Sequence, residues 1–250
     1  MRTPTLLLPL LFALPAVAQD DPSARWRIAL GLGAGSLDYD EDGLPRSDSN
    51  SAGAFRFGFE GTSRRGFGGG LRIESFAAEE LELGNAGDDW DVAFGSLFGH
   101  FTYRVQSHRF AMPVRIGLLA NALTVDNATT FAADEATFST AGIYTEFAPE
   151  FTLMRRRSVE WTLYGEVGLG GGGTTIEDDT RPDREWDSST VFTGLEFGSR
   201  VRLGACELSL AFVGRWQSMD ESDPDGNAAE TILPYDASFT GLMFGFAVVF

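Results

Sequence analysis

Arginine and glutamate recur at even spacings within separate short segments of this 250-residue chain. Arg56 and Glu60, Arg72 and Glu74, Glu146 and Glu150, Glu160 and Glu166, Glu196 with Arg200 and Arg202, and Glu207 and Arg215 fall in step, and Arg115 stands alone. Guanidinium and carboxylate groups match in charge and in planar geometry, so side chains of these types can lock one another into an ionic network. The same residues along an open path would instead make a charge-selective channel. A third chemistry, acid–base or nucleophilic catalysis, requires a base in reach of a nucleophile or an activated water. The chain offers only two histidines, His100 and His108, and no G-x-S-x-G, so a hydrolase reading finds no motif to rest on. A fourth possibility is a metal. The stretch D38-YDED-G43 reproduces the D-x-D-x-D-G opening of a calcium loop, in which Asp38, Asp40 and Asp42 would converge as the glycine turns the chain. Position twelve of that pattern is Ser49 rather than a bidentate glutamate, and D223-P-D-G226 is only a partial echo. Calcium or magnesium at external loops is therefore the weaker expectation, a plain acidic turn the stronger, and no other cofactor is expected.

What must position these residues is read from periodicity. Apolar and polar residues alternate with a period of two along nearly the whole chain, as strands with one greasy face require. Phe110, Met112, Val114, Ile116 and Leu118 make the clearest example. About ten strands are predicted, over 26–39, 52–63, 67–78, 90–106, 109–121, 137–154, 158–173, 189–203, 206–218 and 235–250. In the fourth, the apolar phase changes between Phe94 and Leu97, which predicts a bulge. Tight connections (S63-RR-G66, Q106-SH-R109, M154-RRR-S158, G204-A-C206) alternate with long acidic ones around 40–51, 79–89, 122–136, 174–188 and 219–234. In an antiparallel meander that alternation puts every tight turn at one rim and every long loop at the other. The glycine clusters G168-LGGG-G173 and G31-LGAG-S36 lie inside predicted strands with no helix following, so they are not nucleotide loops.

The formal charge of −17 argues against nucleic acid as a partner. The opening MRTPTLLLPLLFALPAVA has one early cation, an apolar run and small residues at Ala16 and Ala18, the pattern of an export signal cut after Ala18. This divides the chain into a signal peptide, 1–18, and one domain, 19–250. The lone Cys206 has no partner for an internal disulfide.

The end of the chain carries a resemblance. Leu242, Phe244, Phe246, Val248 and Phe250 place alternate apolar residues on the last strand and finish it on an aromatic. This resembles the Gram-negative outer-membrane β-barrel proteins, in which such a last strand is a hallmark recognised by the barrel-assembly machinery. The resemblance covers the mature chain and implies an all-β fold: an antiparallel up-and-down transmembrane β-barrel in the cell outer membrane, with short periplasmic turns and long acidic external loops. It also implies contact with outer-membrane lipid and lipopolysaccharide, and a monomer. Trp26, Phe67, Phe110, Phe151, Trp161 and Phe250 would form one interfacial girdle, and Trp90, Trp216 and Tyr235 the other; Trp26, Trp161, Trp216, Phe246 and Phe250 are the expected membrane-anchoring and assembly residues. In a lumen this narrow, Arg56, Arg72, Glu74, Arg115, Glu146, Glu166, Glu196 and Arg200 must meet. The function expected is a plugged barrel with a structural or surface-interaction role; the alternatives are a narrow pore or small-solute transporter, then an outer-membrane hydrolase.

Overall fold

The computed structural model describes residues 25–42, 48–82, 89–127, 135–156, 158–178, 185–222 and 232–250. The predicted signal peptide and the D223-P-D-G226 echo lie outside them. Eleven strands follow in order: β1 (Arg25–Glu41), β2 (Asp48–Thr62), β3 (Phe67–Glu82), β4 (Asp89–Gln106), β5 (Phe110–Asn127), β6 (Glu135–Phe147), β7 (Glu150–Arg156), β8 (Val159–Asp178), β9 (Glu185–Leu203), β10 (Cys206–Met219) and β11 (Tyr235–Val249). Each pairs antiparallel with its neighbours, and β1 pairs with β11 from Arg27↔Val249 to Glu41↔Tyr235, so the sheet closes on itself. Closure leaves no edge with unpaired backbone groups. The seam is completed by Trp26 N–H donating to the Phe250 carbonyl at 2.8 Å and Phe250 N–H to the Trp26 carbonyl at 3.0 Å.

The barrel has ten staves, because β6 and β7 together fill one place between β5 and β8. What interrupts that stave is Ala148-Pro149. Proline has no N–H to give the ladder, and the chain bridges the gap with Ala148 N–H on the Pro113 carbonyl and Gly165 N–H on the Pro149 carbonyl, each 2.9 Å. At the tight turns, Gly66 (φ 85°) and Gly204 (φ 63°) take left-handed conformations that a side chain would strain.

Period two holds from end to end in most staves, and it puts an apolar band on the outer face of the half of each strand nearest the tight turns. On β8 this runs Val159, Trp161, Leu163, Val167, Leu169; on β11 it is Leu242, Phe244, Phe246 and Val248, with Phe250 just beyond. Phe101, 79 % exposed, and Leu118, 72 % exposed, would be untenable in water at this density around a whole circumference. With charges inside and hydrocarbon outside, this half of the barrel is built for a bilayer.

The strands do not stop where the apolar band stops. β8 has 20 residues and β9 has 19, against the roughly 9–11 that a tilted transmembrane strand needs. Much of the sequence expected as long acidic loops is wall: β1 and β2 extend to Glu41 and back to Asp48, and the connections shrink to 42–47, 83–88, 128–134, 179–184 and 220–234. In this upper tier the outward residues turn hydroxylic or acidic: Asp38 and Asp40 on β1, Ser49 and Ser51 on β2, Ser139 on β6, Ser189 on β9, Ser218 on β10, Asp236 and Ser238 on β11. The inward ones turn apolar. Leu37, Phe76, Leu81, Leu123, Phe138, Ile176, Trp186 and Phe239 are all at most 3 % exposed. Phe76 stacks on Phe239 with ring centroids 4.3 Å apart, and Phe138 meets Tyr235 edge-on at 4.8 Å.

This inversion corrects two expectations. The fourth strand has no bulge between Phe94 and Leu97; its register is continuous against both neighbours there, and Phe94 belongs to the inner apolar tier while Leu97 faces lipid. The irregularity is in β3, between Ala78 and Leu81, where Glu80 takes a φ of 59°. Likewise Trp90 and Tyr235 are no part of an outer girdle. Both point inward and pack in the apolar tier.

Candidate functional site

The inward charges sit below the apolar tier, in the half wrapped by the apolar band. Direct cross-strand register brings Arg56 opposite Glu74 and Arg115 opposite Glu146, the arrangement in which opposite charges attract most closely on a sheet. Arg56 lies 2.6 Å from Glu74 and 2.8 Å from Glu196. Arg72 pairs with Glu146 and, at 3.1 Å, with Glu166. Arg115 reaches Glu60 at 2.9 Å and both Glu146 and Glu166 at 3.4 Å. Register also makes a repulsive pair, because Glu166 is directly opposite Glu196. Arg215 relieves it, at 3.3 Å from one and 3.4 Å from the other, while holding Glu74 at 2.9 Å. Its side chain is 6 % exposed, and carboxylates left without it would be stranded in a dry interior.

Seven of the eight residues expected in the network are thus joined in one belt. Arg200 is lower, on Glu150 at 2.6 Å. Arg215 and Glu60 complete the belt, although sequence reasoning placed them only on the charged face and not at this height. Their signal was the parity they share with Glu207 and Arg56, which gives the face; the height depends on stagger around the barrel.

Space for the belt is made by glycine. Tyr144 lies along the inner wall over Gly168 and Gly194 of the next two staves, where a Cβ on either would collide with its phenol oxygen. Phe98, Leu119, Tyr144 and Phe192 cluster above the belt, with the Phe98 ring 5.4 Å from the Arg72 guanidinium. A thin polar layer follows: Asn121 donates to Gln217, Gln217 to Tyr235, and the Thr140 and Thr174 hydroxyls share a hydrogen bond at 2.7 Å. Beyond it the lumen is mainly apolar up to the loop rim, where Glu41 accepts a hydrogen bond from Tyr39 at 2.9 Å. Below the belt the packing loosens into a cavity of about 110 Å³ lined by Arg27, Glu60, His100, Tyr164 and Arg200, among others. His100 lies 3.0 Å from the Thr102 hydroxyl, inside the barrel rather than at the loop rim.

The remaining candidates are on the outer wall. Trp26 stacks on Phe59 at 5.3 Å, and Trp161 donates to the Ser199 hydroxyl at 2.7 Å. Trp216 lies flat over Gly214 near the upper edge of the apolar band, and Phe246 and Phe250 are exposed on its lower part. Asp38 and Asp40 occupy strand β1 rather than a loop, so they project from the wall at alternate positions instead of converging. Asp38 accepts from Ser238 at 3.3 Å, Asp40 is directly opposite Asp236, and Asp42 follows in a turn. Among the described residues no group of three or more metal-ligating side chains is gathered closely enough to hold an ion. Burial raises the Glu41 carboxyl above its ordinary value, an effect opposed by the hydrogen bond from Tyr39; this group stands in the upper tier, clear of the bilayer.

No family model matches the chain, and no curated protein does. Among solved structures it is similar to the outer membrane protease OmpT from Escherichia coli, with 8 % identity over 92 % of this chain and 97 % of that one and a TM-score of 0.49. It is also similar to the translocator domain of the autotransporter NalP from Neisseria meningitidis (8 % identity, 96 % and 94 % covered, TM-score 0.40) and to the beta domain of the Bordetella autotransporter BrkA (13 % identity, 91 % and 99 % covered, TM-score 0.40).

Proposed function

We propose that this chain is a sealed outer-membrane barrel with a structural or surface-interaction role, displaying a tall acidic and hydroxylic collar above the bilayer. One observation carries the reading: the lumen is filled twice over. The Arg–Glu belt occupies the membrane half, and an apolar tier, with Trp186 1 % exposed and Phe239 fully buried, occupies the half above it. An ion that passed the belt would still meet a dry barrier, in which an unpaired charge is very costly. The collar is formed by the outward Asp, Ser and Thr side chains, whose polarity suits water and the headgroups of lipopolysaccharide. The terminal strand ending in Phe246 and Phe250 suits both recognition by the assembly machinery and anchoring in the lower interface.

Planar-bilayer recording of the refolded protein tests this. No steady conductance is expected. A steady conductance abolished by E74Q or R56Q would replace the reading with a narrow pore, and sustained hydrolysis of lipid or peptide by the purified barrel would replace it with an enzyme. Heat-modifiable gel mobility should accompany the folded form, since a closed barrel resists unfolding until boiled.

A further inference from the structure

The rim that carries the tight turns has more cations than its carboxylates can serve. Among the described residues six inward guanidinium groups meet there: Arg25, Arg27, Arg104, Arg155, Arg200 and Arg202. Three carboxylates face them, and each is divided between two arginines. Glu150 holds Arg104 and Arg200, each at 2.6 Å. Glu207 holds Arg27 at 2.8 Å and Arg200 at 3.9 Å. Glu160 holds Arg155 at 2.9 Å and Arg202 at 3.0 Å. Arg25 enters none of these pairs, and the buried Nε of Arg104 has no acceptor among the described residues. Arg25 and Arg104 together line a cavity of about 40 Å³ with Arg27, Arg115 and Arg200 and the carboxylates Glu60, Glu150 and Glu207, five cations against three anions. That cavity shares Arg27, Glu60, Arg115, Glu150 and Arg200 with the larger one beneath the belt, so the two adjoin as one vestibule between the belt and the turn rim. The belt itself has the opposite balance, four arginines against five glutamates, and would turn an anion back.

We propose that this vestibule binds one small oxyanion, of the phosphate or phosphomonoester class, between Arg25 and Arg104. Guanidinium forks suit such a ligand because two N–H groups can meet two oxygens at once. A tetrahedral oxyanion also has enough oxygens to satisfy Arg25 and the idle Arg104 Nε together, which chloride does not. Glu150 beside them sets the lower limit of selectivity, by disfavouring any anion that cannot use both arginines.

Inorganic phosphate titrated into the full-length barrel in a maltoside detergent, against sodium chloride at equal ionic strength, tests the proposal by calorimetry and by ³¹P line broadening. Saturable binding by phosphate and not by chloride is expected, weakened at least tenfold in R25Q and less than twofold in R64Q, a charge in the turn away from the vestibule. Equal responses to phosphate and chloride, or an unchanged affinity in R25Q, would overturn it. Asp20 and Asp21 stand five and four residues before Arg25 in the sequence; the D20N/D21N variant should bind phosphate within twofold of the parent, and a tenfold gain would give the site to the chain's own carboxylates and overturn a free ligand. In nanodiscs, undiminished binding when phosphatidylglycerol replaces phosphatidylcholine supports a free oxyanion, whereas competition by phosphatidylglycerol supports a headgroup phosphate with the same chemistry.

Discussion

The two halves of each stave face opposite solvents with the same alternation. On β11, Leu242, Phe244 and Phe246 face outward in the lower half and Asp236, Ser238 and Thr240 in the upper; on the inner face Tyr235, Ala237 and Phe239 pack at the top. On β10 the inner face passes from Glu207 through Arg215 to Gln217 and Met219. The lower tier is a membrane barrel, dry outside and ionic within. The upper tier is a water-type barrel, polar outside and apolar within. Parity therefore reports which residues share a wall, and says nothing about which wall is wet. That is decided by depth, and it changes midway without any break in the strand.

The comparison is broken most easily at the belt. R215M should destabilise the barrel by about 3–5 kcal/mol, since it leaves Glu74, Glu166 and Glu196 short of a partner in a dry setting; urea unfolding of the reconstituted protein measures this. A cost under about 1 kcal/mol would mean that the lower lumen is wetter than its burial indicates. Next in size is a paired test of the outer wall. I116R, in the middle of the apolar band, should cost about 2–4 kcal/mol in a bilayer, whereas S139R in the upper tier should stay within about 0.5 kcal/mol. Equal costs would erase the boundary between tiers. Trimming the upper core is smaller again: I176V removes one methylene from a side chain that is 1 % exposed, and about 0.5–1.5 kcal/mol should be lost by the same assay.

The smallest effect sharpens the upper rim. Glu41 is harder to ionise in the folded barrel than in the unfolded chain, because burial raises its carboxyl. Its contribution is therefore intact below the ordinary value of 4.5 and fades as pH rises through the raised one. E41Q should be the more stable protein at pH 7, by no more than about 0.5 kcal/mol, and should match the parent at pH 4. Melting curves at the two pH values decide it, and a gap that is larger at pH 4 would contradict the burial of this group.

Much of the fold was legible because strands are local. Ten staves and their order followed from alternation punctuated by Gly, Ser and Arg, and every expected strand has a counterpart. The ends of the strands extend past their expected limits for a specific reason: L123-TV-D126 and its equivalents alternate polar-out and apolar-in, the reverse of the band below, so by composition they resemble loops. The same reversal made Phe94 look like a register error and turned Trp90 and Tyr235 into girdle residues on paper. In the site, Arg56/Glu74 and Arg115/Glu146 could be anticipated from face and approximate depth. Arg215 could not, because its partners Glu74 and Glu166 are 141 and 49 residues away and meet it only across the lumen.

By itself the sequence determined the alternation, the closing apolar strand and the set of side chains that share the inner wall, since these depend on a two-residue repeat that each segment carries independently. Only the tertiary structure decided the height at which each charge sits, which carboxylates Arg215 and Arg200 serve, and where the wall changes solvent. Those are properties of stagger around a closed ring: each stave's position is set by register with both neighbours at once, and no single segment encodes it.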